Sequence, residues 1–397
     1  MKAKNIFWMA FVAVALSVGA TSCGDDDDEP VKDPTENVGG NEDEGGSSSS
    51  ADLDYSAANA NSWHNYMKQV AYLLKADATT LYEAWNTSYE GGEAYAQSFK
   101  NHTRYYQSAR NCVEELLDGC VTIADEVGNA KIGEPYNLYV SGDVTSALYA
   151  VESWYSWHSR DDYTNNIWSI RNAYFGSLDG TVNANSLSAV VKGANAELDA
   201  EVIAAINKAA SAIQAIPQPF RNHINSNEAR EAMTACAELV EVMDVNLRSV
   251  VTNSELLSEE TLDAVVDNYV DAVVLPTYKD LMEKNSTLYN EIVALASNPS
   301  SEAFEAACDA WLASREPWEK SEAFLFGPVD ALGLDPNMDS WPLDQDAIVQ
   351  ILTSGNFDNL NWSDEDGDEA IEAAQSVRGF HTLEYLLFKD GNPRKVN

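Results

Sequence analysis

Apolar residues recur at helical spacing along nearly the whole chain from Tyr55 onward. Leu262, Val266, Tyr269 and Val273 step by four, three and four, and so do Val377, His381, Glu384 and Phe388. Each set therefore lies on one helix face. No sustained period-two run rich in Val, Ile and Thr competes with this pattern. Breakers fall at Gly91-Gly92, Gly133 to Pro135, Pro217 to Pro219, Gly327-Pro328 and Gly391 to Pro393, which marks helix ends. The expected fold class is all-α. A short echo divides it: Glu83-Ala84-Trp85 continues to Ser88, Glu90 and Glu93, and Asp309-Ala310-Trp311 continues to Ser314, Glu316 and Glu319 in the same register. That points to two packed helical bundles, residues 51–255 and 256–397.

The first fifty residues follow a different pattern. Lys2 and Lys4 precede an apolar run, Ile6 to Val18, too short to span a bilayer as a helix. Ala20-Thr21-Ser22-Cys23 resembles a lipobox, with small residues at the cut and a thiol to carry lipid. Residues 1–22 thus read as a lipoprotein signal peptide and Cys23 as the lipidation site. Residues 23–50, with Asp25 to Glu29 and a run of serines, lack the apolar content for a core and read as an acidic, disordered tether. The acidic run after Cys23 resembles surface-export signals of some Gram-negative lipoproteins. The expected location is the outer membrane, lipid-anchored and facing the cell surface.

Composition narrows the function. With 45% hydrophobic and 10% aromatic residues, the chain can fill substantial cores. Against 64 Asp plus Glu it carries only 24 Lys plus Arg, a formal net charge of −40. Such a surface repels phosphate backbones, which excludes nucleic acid and suits cations or an extracellular life. Cys112 and Cys120 share a helical stretch about 12 Å apart along the axis, too far for a disulfide. With Cys236 and Cys308 they read as buried free thiols, a long-range bridge being left open by the even count.

Three segments place polar groups where apolar ones belong. In a helix expected over Asp368 to Phe388, His381 and Glu384 interrupt an apolar stripe at i and i+3, and Gly379 leaves room for another backbone. A buried carboxylate is costly unless paired or bound to metal, so the two form a structural ion pair or face a ligand. A second stripe runs Phe304, Cys308, Trp311, Arg315, Trp318, Glu322 and Phe326, with Pro317 expected to kink it. There Arg315 either snorkels past the tryptophans or lines a pocket. In Val151 to Arg160, Glu152, Ser156 and Ser159 would share a helical face. No nucleophile-elbow motif surrounds these serines, so they read as a polar seam between bundles.

Gly379-Phe380-His381-Thr382-Leu383-Glu384 resembles the GxHxxE signature of imelysin-like proteins. Arg315 through Gly327, of the form R-x-x-W-x-x-x-E-A-F-x-F-G, is similar to that family's other well-marked helix. Gly119 to Pro135 and Val151 to Tyr174 also look like family segments. The resemblance implies two bundles with a polar cleft and a role in bacterial iron uptake, in a family also classed with metallopeptidases. It implies His381, Glu384 and Glu322 as ligands of a metal such as iron, zinc or calcium. Arg315 would orient a ligand anion, with Trp318, Glu152 and Ser156 beside it. The partners implied are a metal ion or metal-bearing ligand and an iron-uptake membrane component. The alternative is a zinc metallopeptidase built on His-x-x-Glu, with His64, His102, His158 or His223 as a further ligand. Against it, the chain has no HExxH, and Tyr385 stands where an inverted HxxEH needs histidine. The motif also falls near the carboxy terminus rather than in the first half, which implies circular permutation.

Replacing Cys23 with Ser is expected to leave an unprocessed precursor that takes up no labelled fatty acid. A mutant that still incorporates the label would remove the lipid anchor from this reading.

Overall fold

The computed structural model of the protein describes residues 53–362 and 366–396. The expected signal peptide, Cys23 and the expected tether lie outside the described residues. Among the described residues the architecture is all-α, with one small exception at the carboxy-terminal end. There Phe388–Lys389 pairs antiparallel with Asn392–Pro393. Helices start where serines can cap them: Ser108, Ser226, Ser258 and Ser300 each accept a hydrogen bond from the backbone N–H three residues on. No helix among the described residues is long and apolar enough to cross a membrane.

Two of the longest helices, Ala60–Asn86 and Ser301–Glu319, flank a third, Leu275–Ser297. Trp85 and Trp311, the echoed tryptophans, sit on the two flanking helices and are both fully buried. This packing cuts across the expected division at residues 255 and 256. The buried stripe of Ala60–Asn86, including Trp63, Val70, Leu74 and Leu81, is covered by helices from the far end of the chain. Ser159–Phe175, Ala196–Ala215 and Asn227–Glu241 form a second group. Ala109–Glu126 contacts that group and also Glu259–Tyr269. Cys112, Cys120, Cys236 and Cys308 are buried and free, and the long-range bridge left open by their even count is not formed.

Several local expectations are corrected. Gly133 to Pro135 does not end a helix. A π-helical turn, Val127–Lys131, follows Ala109–Glu126, and a new helix, Gly133–Ser141, begins at once. Pro135 falls in its first turn, where a backbone N–H has no intrahelical partner to lose. The wide π turn carries Lys131 into the interior. The stripe from Phe304 to Phe326 is also not one helix. It ends at Glu319, two residues after Pro317, and Glu322 stands on a separate 3₁₀ turn, Glu322–Phe324. Gly119 lets the Ala109–Glu126 helix press on this turn, because a Cβ there would clash with the Ala323 carbonyl.

The carboxy-terminal helix is likewise broken, into Asp368–Gln375 and Gly379–Leu387. Gly379 has φ +83°, and a Cβ on it would lie 2.7 Å from the Met338 carbonyl carbon. Both facts demand glycine. The close approach of the Met338 backbone brings the next residue, Asp339, against His381. Tyr66, Trp63 and Trp311 anchor this segment by donating to the carbonyls of Val377, Leu386 and Phe380 at 2.6, 3.0 and 2.9 Å. Val151 to His158 is not helical at all. It is an irregular loop with φ +50° at Ser153 and +61° at Trp157, and helix begins only at Ser159. Glu152, Ser156 and Ser159 therefore share no helical face.

Gly379→Ala combines left-handed backbone strain, of order 1–3 kcal/mol, with a backbone clash. We expect destabilisation by at least about that amount in urea denaturation; a variant as stable as wild type would contradict the close approach described here.

Candidate functional site

Arg315 is the hub of a buried polar cluster. Its side chain is wholly buried on the Ser301–Glu319 helix. The guanidinium meets Glu319 at 2.6 Å one turn on, Asp162 at 3.6 Å, and Asp339 in a direct ion pair. Burial opposes its charge, but Asp339, Glu319 and Asp162 outweigh that and hold it protonated. Asp339 also accepts from Trp318 Nε1 at 2.6 Å and pairs with His381 Nε2 at 3.1 Å. Its burial would raise the carboxyl pKa; Arg315 and His381 instead keep it well below the usual range.

His381 passes the contact onward. Its Nδ1 lies 3.1 Å from Glu384 Oε2. The other oxygen, Oε1, accepts from the Tyr155 and Ser156 backbone N–H groups at 3.0 and 2.8 Å and from Ser156 Oγ at 2.7 Å. Burial and nearby Arg315 disfavour the charged imidazole, yet the bonds to Asp339 and Glu384 push its pKa up to about 9. As an imidazolium it has no lone pair to offer a metal. The Trp341 ring covers it edge-on, with centroids 4.8 Å apart.

Asp162 forms a parallel branch. His158 Nδ1 meets it at 2.9 Å and Ser153 Oγ donates to it. Burial works against the His158 charge, but Asp162 pushes its pKa up to about 9. On the far side, Lys131 Nζ lies 3.0 Å from Glu152 and 3.7 Å from Glu126. Burial pushes the Glu319 carboxyl up to about 8 and Glu322 well above the carboxylate range. One carboxylate oxygen from each of Glu319, Glu322 and Asp339 lies within 4.8 Å of the others. The Asn166 side-chain N–H donates to Glu319 Oε2 at 2.5 Å, while Asn166 Oδ1 is buried with no hydrogen-bond partner among the described residues.

The structure thus brings His381, Glu384, Arg315, Trp318 and Ser156 into one network. Glu152 joins through Lys131. The expected ligand set of His381, Glu384 and Glu322 overlaps the carboxylates able to share a cation only at Glu322. Glu319 had a visible signal, standing four residues after Arg315 on the same helix. Asp339, Asp162, Asn166 and Lys131 had none: a backbone approach delivers Asp339, the Ser159–Phe175 helix packs Asp162 and Asn166 against the cluster, and a π turn carries Lys131 inward.

Fold and site together define an all-α protein organised around a buried Arg–His–carboxylate network. The imelysin family profile matches residues 39–245 and 274–396, and the chain belongs to the imelysin family. It is similar to a crystallised imelysin peptidase from Bacteroides ovatus, at 64% identity and a TM-score of 0.87. That match covers 88% of this chain and 100% of the other. It is also 30% identical over 129 residues to iron-regulated protein A of Synechococcus elongatus (strain ATCC 33912 / PCC 7942 / FACHB-805). The aligned stretch spans only 32% of each protein.

The two histidines give a signed pH dependence. Their folded pKa values lie above the unfolded value of about 6.5, so their contribution is full below that value and is lost as pH rises through about 9. Thermal melts should show stability falling from neutrality through that range. A melting temperature that climbs over the same interval would contradict the charged-histidine network.

Proposed function

We propose that this protein is a surface-displayed, lipid-anchored imelysin-family protein that binds a metal ion or metal-bearing ligand in iron acquisition. The supporting observation is the charge balance of the buried cluster. Asp162, Glu319, Glu322, Asp339 and Glu384 outnumber Arg315, Lys131 and His381, and the peripheral pairs with Glu152 and His158 add one charge of each sign. Buried carboxylates in excess of their partners must take up protons or a cation. An iron-regulated relative and an acidic chain agree with the second. Anchoring through Cys23, surface display, an iron-uptake membrane partner and the permuted order of the halves belong to the same proposal.

The competing reading is a zinc peptidase using His381 and Glu384. Zinc needs a neutral imidazole nitrogen and usually an open coordination position. Here both His381 nitrogens face carboxylates, and Glu384 already accepts four bonds. Binding is therefore the better account of the geometry.

Elemental analysis of protein purified without chelators from iron-replete cells is expected to find near-stoichiometric metal. A mixed peptide pool incubated with the same sample should stay intact. Metal-free protein would defeat the binding reading, and metal-dependent peptide cleavage would install the peptidase instead.

A further inference from the structure

We propose that Glu319, Glu322 and Asp339, with the amide oxygen of Asn166, form the seat of a hard, oxygen-preferring cation, and that His381 and Glu384 brace this seat without touching the ion. This rests on the metal-binding reading above and locates it. An ion about 2.0–2.6 Å from each oxygen needs ligand atoms no more than about 5 Å apart. The three carboxylates meet that limit, with one oxygen from each inside 4.8 Å of the others.

Asn166 is the independent observation. It is fully buried, and its N–H group is fixed by two acceptors on Glu319, the side-chain oxygen at 2.5 Å and the main-chain carbonyl at 3.3 Å. That orientation leaves Oδ1, on the amide that touches Glu319, with no donor among the described residues. A buried acceptor left without a donor is costly. A cation, or water on a cation, removes that cost.

The existing contacts leave coordination capacity. Glu319 meets Arg315 through Oε1 and Asn166 through Oε2, and Asp339 meets Arg315, His381 and Trp318. An ionised carboxylate offers about four lone-pair sites, so each keeps at least one free. Glu322 accepts no hydrogen bond from the described residues and is 8% exposed. Gly119 and Ser169 hold its turn in place, the latter by accepting from the Ala323 N–H at 3.0 Å.

The donor set fixes the class of ion. Three carboxylates and an amide oxygen, without thiolate or imidazole, favour hard cations such as calcium, manganese or iron over soft ones. Lys131 and Arg315 carry positive charge close to the same carboxylates, so binding is weaker than the carboxylate count alone would give. Glu384 stands on the remote side of His381. Its charge stabilises the imidazolium that steadies Asp339.

Manganese titration of the full-length protein, followed by electron paramagnetic resonance, tests the assignment. Wild type should bind one ion, displaced by calcium. Glu322→Gln and Asn166→Ala should each weaken binding about tenfold or more, since ligand charge and number set affinity in such sites. Glu384→Gln, which removes no ligand, should weaken binding less than either of these, with circular dichroism confirming the fold of each variant. If Glu384→Gln abolishes binding and Glu322→Gln does not, the ion sits on the His-x-x-Glu motif; this seat is then wrong while the metal reading stands. If wild type binds neither manganese, calcium nor iron, both fall together.

Discussion

A guanidinium with no exposure to water is the constraint on which the rest of this structure depends. Arg315 cannot lose its proton under ordinary conditions and must find fixed anionic partners. Glu319 comes free, one turn along the same helix. Asp339 and Asp162 must be brought from other parts of the chain, and much of the irregular backbone here serves that delivery. Removing one partner from such a group leaves a stranded charge, typically worth roughly 3–5 kcal/mol. The network is therefore held by the penalty of dismantling it more than by the attraction of any one pair.

The G-x-H-x-x-E pattern acquires a physical meaning in this setting. Its glycine admits the Met338 backbone at positive φ. Its histidine bridges Asp339 and Glu384 through its two nitrogens. Its glutamate holds the 151–158 loop by two backbone N–H groups and a hydroxyl. The loop also takes a bond from the carboxy-terminal hairpin, whose Gly391 N–H donates to the Tyr155 carbonyl at 2.9 Å. Two residues of positive φ in that loop are offset by charge-assisted bonds to a carboxylate. In this structure the motif acts as a mechanical joint between the last helix and the loop that opens the 159–175 helix.

The same geometry separates two roles that the motif alone merges. His381 and Glu384 satisfy one another and their neighbours, whereas Glu319, Glu322 and Asn166 retain acceptor capacity. The surplus carboxylates beside a saturated ionic brace are the arrangement on which the proposed cation uptake rests. The brace fixes Asp339 in advance, which is the preorganisation such a site would need.

Sequence alone settled the elements whose cause is local. Period 3.6 in residues such as Leu262, Val266, Tyr269 and Val273 gave the all-α class, and all four are buried. Polar groups in apolar stripes singled out Arg315, His381 and Glu384. What failed was continuity: apolar spacing ran past Glu319, bridged the break before Gly379 and made a helix of residues 151–158. Periodicity registers burial, and a buried loop beside a buried helix can carry the same spacing. The grouping of helices was equally illegible, because Ala60–Asn86 presents an apolar stripe that any complementary helix could cover. Only tertiary structure decided that Asp339 faces His381, that Asn166 faces Glu319 and that Lys131 turns inward. They depend on a close backbone approach, on the packing of one helix against another and on a π turn, and such contacts leave no fixed spacing in the sequence.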